Sequence, residues 1–261
     1  MKTISTFLFI CTITFCNSQI LKKQIPDKLV VLTFDDAPAS HYSIVAPLLK
    51  DYGFGATFFV CEFPPNYKDS TLYMNWRQIK MLDKLGFEVA NHTRTHANVT
   101  KLTQAQFNEE LEYIENKCDS LNILKPTNFA YPGYGLNSKV LDFLDKKRYV
   151  FARAGGSRVY DPLIDHPYLI PSWAIDENNK TEIMAALDKA KKGKIIILTF
   201  HGIPDMEHPW VNTPPRLFKE YLKYLSDHKF KVISLKDLNN YINTDKAKET
   251  IVVDMNKPLK N

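Results

Sequence analysis

Short apolar runs alternate with longer amphipathic ones along almost the whole chain, and this alternation admits very few folds. Lys28–Phe34, Gly55–Val60, Phe87–Ala90, Thr127–Tyr131, Tyr149–Ala152 and Lys194–Phe200 are rich in Val, Ile and Phe and bounded by Gly, Pro or charge. That is the pattern of buried strands. Between and after them, Tyr42–Tyr52, Asn75–Leu85, Thr103–Cys118, Ser138–Lys147, Lys180–Lys191 and Pro215–His228 read as helices. In the last, Leu217, Tyr221 and Leu225 share one helical face, and Thr103 and Ser138 read as N-caps. Strand and helix in alternation imply parallel strands joined by crossover helices. The expected fold is α/β, a single-domain distorted (β/α) barrel of six or seven parallel strands with outer helices. A length of 261 residues suits this, since such barrels run to ~250 residues as one domain.

The ends read differently. Met1-Lys2 is a short basic start, and Ile4–Phe15 is an apolar run of 12 residues. That is too short to span a bilayer and suits the core of a secretory signal. Small residues precede Gln19, so residues 1–18 are expected to be a cleaved signal peptide and the protein to be exported, periplasmic or extracellular. Lipid anchoring through Cys16 is the alternative, and bulky Phe15 speaks against it. Residues 19–27 read as a lead-in, 28–243 as the folded domain, and 244–261 as a loose lysine-rich tail. No later segment is apolar enough to cross a membrane. The net charge of +5 comes from scattered lysines with no arginine-rich stripe, so no nucleic-acid partner is expected. Without the signal the chain keeps Cys61 and Cys118, for which one disulfide or two buried thiols both fit.

Four of the expected strands run straight into polar clusters. Phe34 is followed by Asp35-Asp36, Ala90 by Asn91-His92-Thr93-Arg94-Thr95-His96, Tyr131 by Pro132-Gly133-Tyr134, and Phe200 by His201-Gly202. In a βα barrel, functional groups gather at the C-terminal ends of the strands, so these point to one converging site. Adjacent carboxylates repel, and a nearby cation is their natural stabiliser, although Asp35-Asp36 also reads as a turn or helix cap. His92 and His96, four residues apart, suit one side of a metal site as well as an exposed helical or loop face. With one aspartate from another strand they make a His₂Asp set, which leaves an open position as in catalytic zinc sites.

Taken together, Thr33-Phe34-Asp35-Asp36-Ala37-Pro38, His92-Thr93-Arg94-Thr95-His96 and Leu198-Thr199-Phe200-His201-Gly202 resemble the first, second and fifth motifs of the polysaccharide deacetylases, carbohydrate esterase family 4. The resemblance runs from about Lys28 to Ile242. It implies a divalent metal, zinc foremost with cobalt or nickel as alternatives, held by Asp36, His92 and His96. It implies Asp35 as general base toward water and His201 as general acid toward the leaving amine. A backbone N–H of the Pro132–Tyr134 loop would hold the oxyanion, with Pro132, Gly133 and Tyr134 facing substrate. The implied partner is an acetylated carbohydrate. N-acetylhexosamine glycans, chitin-like or peptidoglycan-like, lead. Acetyl esters of xylan and an inactive glycan-binding homologue are the alternatives.

The sequence departs from that pattern in places. Ala37 stands where the family has glycine, and Thr199 where it has leucine. Ala130 replaces the third-motif arginine that orients the base. Arg153, at the end of the next strand, is a substitute for it or a surface residue. Pro171-Ser172-Trp173 is the nearest fourth motif, with Trp173 either walling the acetyl pocket or sitting in the core. Asp161, Asp165 and Asp176 are the candidate partners of His201. Trp210, in the loop after His201, is expected to contact glycan unless that loop is a purely structural lid.

Overall fold

Residues 20–257 are described in a computed structural model of the chain; the expected signal over residues 1–18 lies outside them. Eight strands form one sheet: β1 (Leu29–Phe34), β2 (Thr57–Val60), β3 (Glu88–Asn91), β4 (Asn128–Ala130), β5 (Phe151–Arg153), β6 (Trp173–Ala174), β7 (Ile196–Phe200) and β8 (Lys231–Ile233). Every pairing between them is parallel. Seven strands make a curled path, β5-β4-β3-β2-β1-β7-β6, and β8 pairs with the lower half of β1 beside it. A bridge from Arg153 to Ile170 ties β5 to the segment that becomes β6. The chain is therefore the expected α/β distorted barrel. β6 and β8, two and three residues long, are too short to have announced themselves in the sequence.

Among the described residues there are seven α-helices: α1 (Ala46–Tyr52), α2 (Trp76–Lys84), α3 (Gln104–Ser120), α4 (Ser138–Lys146), α5 (Lys180–Leu187), α6 (Pro215–Asp227) and α7 (Thr244–Thr250). Thr103 and Gln106 form a reciprocal capping box at α3, as do Asn75 and Gln78 at α2. At α4 the cap is Asn137, not Ser138. Its extended backbone lets its side chain accept the Val140 N–H, and Ser138 is already helical. α5 ends four residues sooner than expected, because Lys189 and Ala190 close the last turn with tighter bonds to Ala186 and Leu187.

The strands sort their side chains by parity. Val30, Leu32 and Phe34 of β1 and Ile196, Leu198 and Phe200 of β7 face the helices. Leu29, Val31, Phe59, Ala90, Ala130, Phe151 and Ile197 face inward. Thr33 and Thr199 continue the inward series and meet hydroxyl to hydroxyl at 3.1 Å. The next inward positions are Asp35 and His201. The same count places His92 two residues above Ala90 and Arg153 two above Phe151.

The first and last parts of the described segment seal the bottom of the barrel. Ile20 and Ile25 of the lead-in pack inside with Leu235, Leu238, Tyr241, Ile242 and Ala247. Leu21 bridges Ile242, and the Lys22 N–H reaches the Tyr241 carbonyl. The segment expected as a loose tail thus begins with α7, whose Ala247 is buried. The low apolar content there hid it, because one small residue per turn suffices against a floor already formed. Cys61 and Cys118 are both buried free thiols, so the disulfide alternative falls. No helix among the described residues is long and apolar enough to cross a membrane.

Buried Glu88 stitches the barrel floor. Its carboxylate accepts from Thr57 Oγ1 at 2.6 Å, from Asn128 Nδ2 and from the Lys236 N–H at 2.8 Å, joining β2, β3, β4 and the turn after β8. Burial pushes its pKa up, and those three donors pull the other way. Glu88→Ala would strand the donors, each charge-assisted bond being worth roughly 1.5–3 kcal/mol. We expect a loss of at least about 3 kcal/mol in urea unfolding, with an unchanged denaturant slope.

Candidate functional site

The site is built where β1, β3, β5 and β7 end. Strand parity aims Asp35 inward and would aim Asp36 out. Instead Asp36 and Ala37 both take left-handed backbone, with φ of 71° and 57°, and the turn swings the second carboxylate back over the barrel mouth. The glycine-to-alanine departure thus falls on a left-handed residue. The strain of about 1–2 kcal/mol is partly offset by the Ala37 methyl, which is fully buried in the core.

His92 and His96 sit in a loop, not on a helix. Thr93 and His96 are left-handed there, with φ of 62° and 53°. Asn91 Oδ1 accepts the Thr93 N–H, Thr93 Oγ1 accepts the Ala97 N–H, and Glu110 holds both the N–H and the hydroxyl of Thr95. His92 Nδ1 donates to the Ala130 carbonyl at 2.8 Å, which fixes the tautomer and turns Nε2 toward Asp36. Asp36 Oδ1 lies 3.4 Å from His92 Nε2 and 3.5 Å from His96 Nε2.

These three residues fit a metal ion. One donor atom of each lies within 4.8 Å of the others. Tetrahedral ligands at ~2.0–2.1 Å from zinc stand ~3.3 Å apart, close to both measured separations. Asp36 Oδ1 is buried without a hydrogen-bond partner among the described residues, as a ligand atom should be. Burial raises the Asp36 pKa, but the nearby His92, His96 and His201 imidazoles outweigh it, and the net shift is downward. Burial brings the His96 pKa down to about 4, so at neutral pH its imidazole is uncharged and can ligate. Burial also lowers His92, yet the nearby Asp35 and Asp36 carboxylates win and raise it.

Arg153 is wholly buried, 0% exposed, and its guanidinium bonds Asp35 Oδ2. Phe59 and Tyr134 flank it, with ring centroids 5.3 and 5.6 Å from the guanidinium carbon. In sheet register Arg153 stands directly beside Ala130. A long side chain from the neighbouring strand thus fills the space that Ala130 leaves. It is not a surface residue, and it sits behind Asp35, where a substitute for the third-motif arginine would stand.

His201 Nε2 lies 3.9 Å from Asp36 Oδ2. Its Nδ1 is buried with no partner among the described residues, so none of the three expected carboxylates holds it. Asp165 is taken by Arg158 and Lys257, and Asp161 lies 3.8 Å from Lys194. Asp176 lines the cavity but bonds the Asn178 N–H.

These groups open onto one cavity of about 530 Å³, within the usual range for ligand sites. Asp35, Asp36, His92, His96, Gly133, Tyr134, His201 and Trp210 all line it. Trp210 is 70% exposed at its rim. Pro132 is buried behind the loop. Trp173 is buried in the core beside Ile175, Ile183 and Leu198, because its strand turns it to the helix side; Ala174 and Ile175 take the place expected for it. Phe63 and His208 also line the cavity and were missed. Phe63 touches the rings of both His96 and His208, with centroids 4.8 and 4.9 Å away. Neither residue lies at a strand end, so spacing gave no signal for them.

The family model described as polysaccharide deacetylase matches residues 22–152, half of the chain. A bifunctional xylanase/deacetylase of Pseudobutyrivibrio xylanivorans is 28% identical over 171 residues, covering 66% of this chain and 25% of that protein. The peptidoglycan-N-acetylmuramic acid deacetylase PdaC of Bacillus subtilis is 24% identical over 222 residues, covering 85% of this chain and 41% of that one. The chain thus spans well under half the length of these relatives. Among solved structures, the Xyl-CE4 domain of a multidomain xylanase from the hindgut metagenome of Trinervitermes trinervoides superposes with a TM-score of 0.59 at 22% identity, covering 82% of this chain and 91% of that one. This last is a likeness of fold.

His96→Ala and Asp36→Ala should each abolish stoichiometric zinc binding in calorimetry, while the circular dichroism spectrum stays unchanged. In the unaltered protein, affinity should fall as the pH is lowered through the raised pKa of His92, since protons then compete for the ligand.

Proposed function

Because the chain belongs to the polysaccharide deacetylase family, we propose that it hydrolyses N-acetyl groups of an N-acetylhexosamine glycan at the cavity above β1, β3, β5 and β7. The observation that carries this is the convergence of Asp35, the Asp36-His92-His96 triad and His201 on one cavity. An amide is a poor substrate for water alone. It needs an activated nucleophile, stabilisation of the oxyanion, and a proton for the departing amine.

A divalent ion held by Asp36, His92 and His96, zinc foremost with cobalt or nickel as alternatives, would supply the Lewis acid for the acetyl carbonyl and an acidified water. Asp35 keeps Oδ2 on Arg153 and has Oδ1 without a partner among the described residues; that oxygen accepts the proton of the attacking water. His201 delivers the proton to the amine. In the loop after β4, the Tyr134 N–H is committed to Tyr131 and the Gly135 N–H to Pro132, which leaves Gly133 to donate to the oxyanion. Trp210 offers an open indole face on which a sugar ring can stack.

No lysine or arginine lines the cavity among the described residues, whereas Asp176 and Glu182 do. This favours an uncharged chitin-like chain over an anionic glycan, whose carboxylates would face like charge. Removal of acetyl esters from xylan is the second reading, favoured by the xylanase-linked relatives. The apolar leader supports a site of action outside the cytoplasm.

Acetate released from chitooligosaccharides, peptidoglycan and acetylated xylan separates these readings. Release should be greatest from chitooligosaccharides, vanish with chelator and return with zinc. No acetate from any of the three with metal bound would leave a glycan-binding protein. Arg153→Ala should lower turnover on the order of 100-fold by releasing the base. Ala130→Arg added to that variant should restore part of the loss, because the two positions are partners in register.

A further inference from the structure

His41 takes no part in the chemistry above, yet it is one of the most enclosed polar residues in the protein, 0% exposed. It opens a π-helical turn, His41–Val45, just after the Asp35-Asp36 corner. Its ring meets Phe34 and Phe58 edge-on, with centroids 5.3 and 5.5 Å away. Its Nε2 lies 2.9 Å from the backbone carbonyl of His201. A carbonyl only accepts, so Nε2 carries the hydrogen. Nδ1 is buried with no partner among the described residues, and burial brings the pKa down to about 4. The ring is therefore neutral, with its single N–H spent on His201. A phenyl ring would fill this apolar slot without leaving a nitrogen unsatisfied, so the slot itself gives no reason for an imidazole.

The reason lies at His201. Its Nδ1 has no partner, so no carboxylate orients its imidazole as one orients the histidine of a hydrolytic triad. Its direction must come from its backbone, and that backbone is held on both sides. His41 binds its carbonyl, and Asp205 Oδ2 binds the next N–H, that of Gly202, at 3.0 Å. A Cβ on Gly202 would lie 2.6 Å from Asp205, so this contact demands glycine. One residue from His41, Ser40 Oγ accepts the Ile203 N–H at 2.9 Å. The Asp35 N–H bonds the Phe200 carbonyl, also at 2.9 Å. The loop after β1 is thereby sewn to the loop after β7.

We propose that His41 is a positioning residue, holding the His201 imidazole at the cavity through the bond from its Nε2–H to the His201 carbonyl. The proposal rests on the reading of His201 as the proton donor. A misplaced donor slows only reactions whose leaving group needs a proton. An amine does; 4-nitrophenolate leaves as the anion.

The test compares chitotetraose with 4-nitrophenyl acetate, using the zinc-loaded protein. His41→Phe keeps the ring and deletes the donor. It should cut kcat on chitotetraose roughly 10- to 100-fold at unchanged KM, and lose much less on 4-nitrophenyl acetate. His41→Gln, which restores an N–H at similar reach, should recover most of the loss. If His41→Phe does not fold, His41→Asn, whose amide stops short of the carbonyl, serves in its place. Equal losses on both substrates, or full activity on both, would overturn the positioning role. Wild-type protein that cleaves neither substrate would instead sink the reading of the site, and this proposal with it.

Discussion

The bond between Arg153 and Asp35 is the constraint on which the rest of the mouth turns. A guanidinium with no exposure carries a desolvation cost of several kcal/mol and persists only against a compensating charge. Asp35 supplies it. Asp35 is in turn tolerable beside Asp36 because Arg153 stands behind the first and His92 and His96 stand beside the second, where an ion could also be held. Remove the arginine and two adjacent buried carboxylates would repel with no cation behind the first. The aromatic pair Phe59 and Tyr134 confines the guanidinium so that the bond has one geometry.

Much of this fold can be read from period and parity. Six apolar runs become six strands within a few residues of their expected limits, and Leu29-Val31-Thr33-Asp35 shows by simple alternation which carboxylate faces inward. What alternation could not supply were the short elements. Trp173–Ala174 and Lys231–Ile233 are strands only because β7 and β1 offer edges to them. α7 is folded against a floor made by residues at the opposite end of the sequence.

The site divides in the same way. Asp35, Asp36, His92, His96 and His201 lie at strand ends and were legible as such. Asp36 reaches the mouth only through a left-handed corner, which parity argues against and the motif alone suggested. Arg153 was legible as a strand-end cation, but its burial and its register with Ala130 are properties of the sheet. Trp173 misled because a tryptophan near a strand end fits a cavity wall and a core equally well. Phe63 and His208 lie in loops and His41 in a short π-helical turn, where position in sequence carries no strand parity to give a direction in space.

The Thr33–Thr199 contact joins residues 166 apart, and this has a consequence for biosynthesis. All three candidate ligand residues, Asp36, His92 and His96, leave the ribosome within the first 96 residues. The strand that stands beside β1 and carries His201 emerges about a hundred residues later. Contacts this distant along the chain form late. Until then β1 has only β2 beside it, and the nascent chain holds the candidate ligand side chains without the imidazole that faces them. The candidate ligands can come together before the sheet closes, but the assembled mouth is a property of the nearly finished polypeptide.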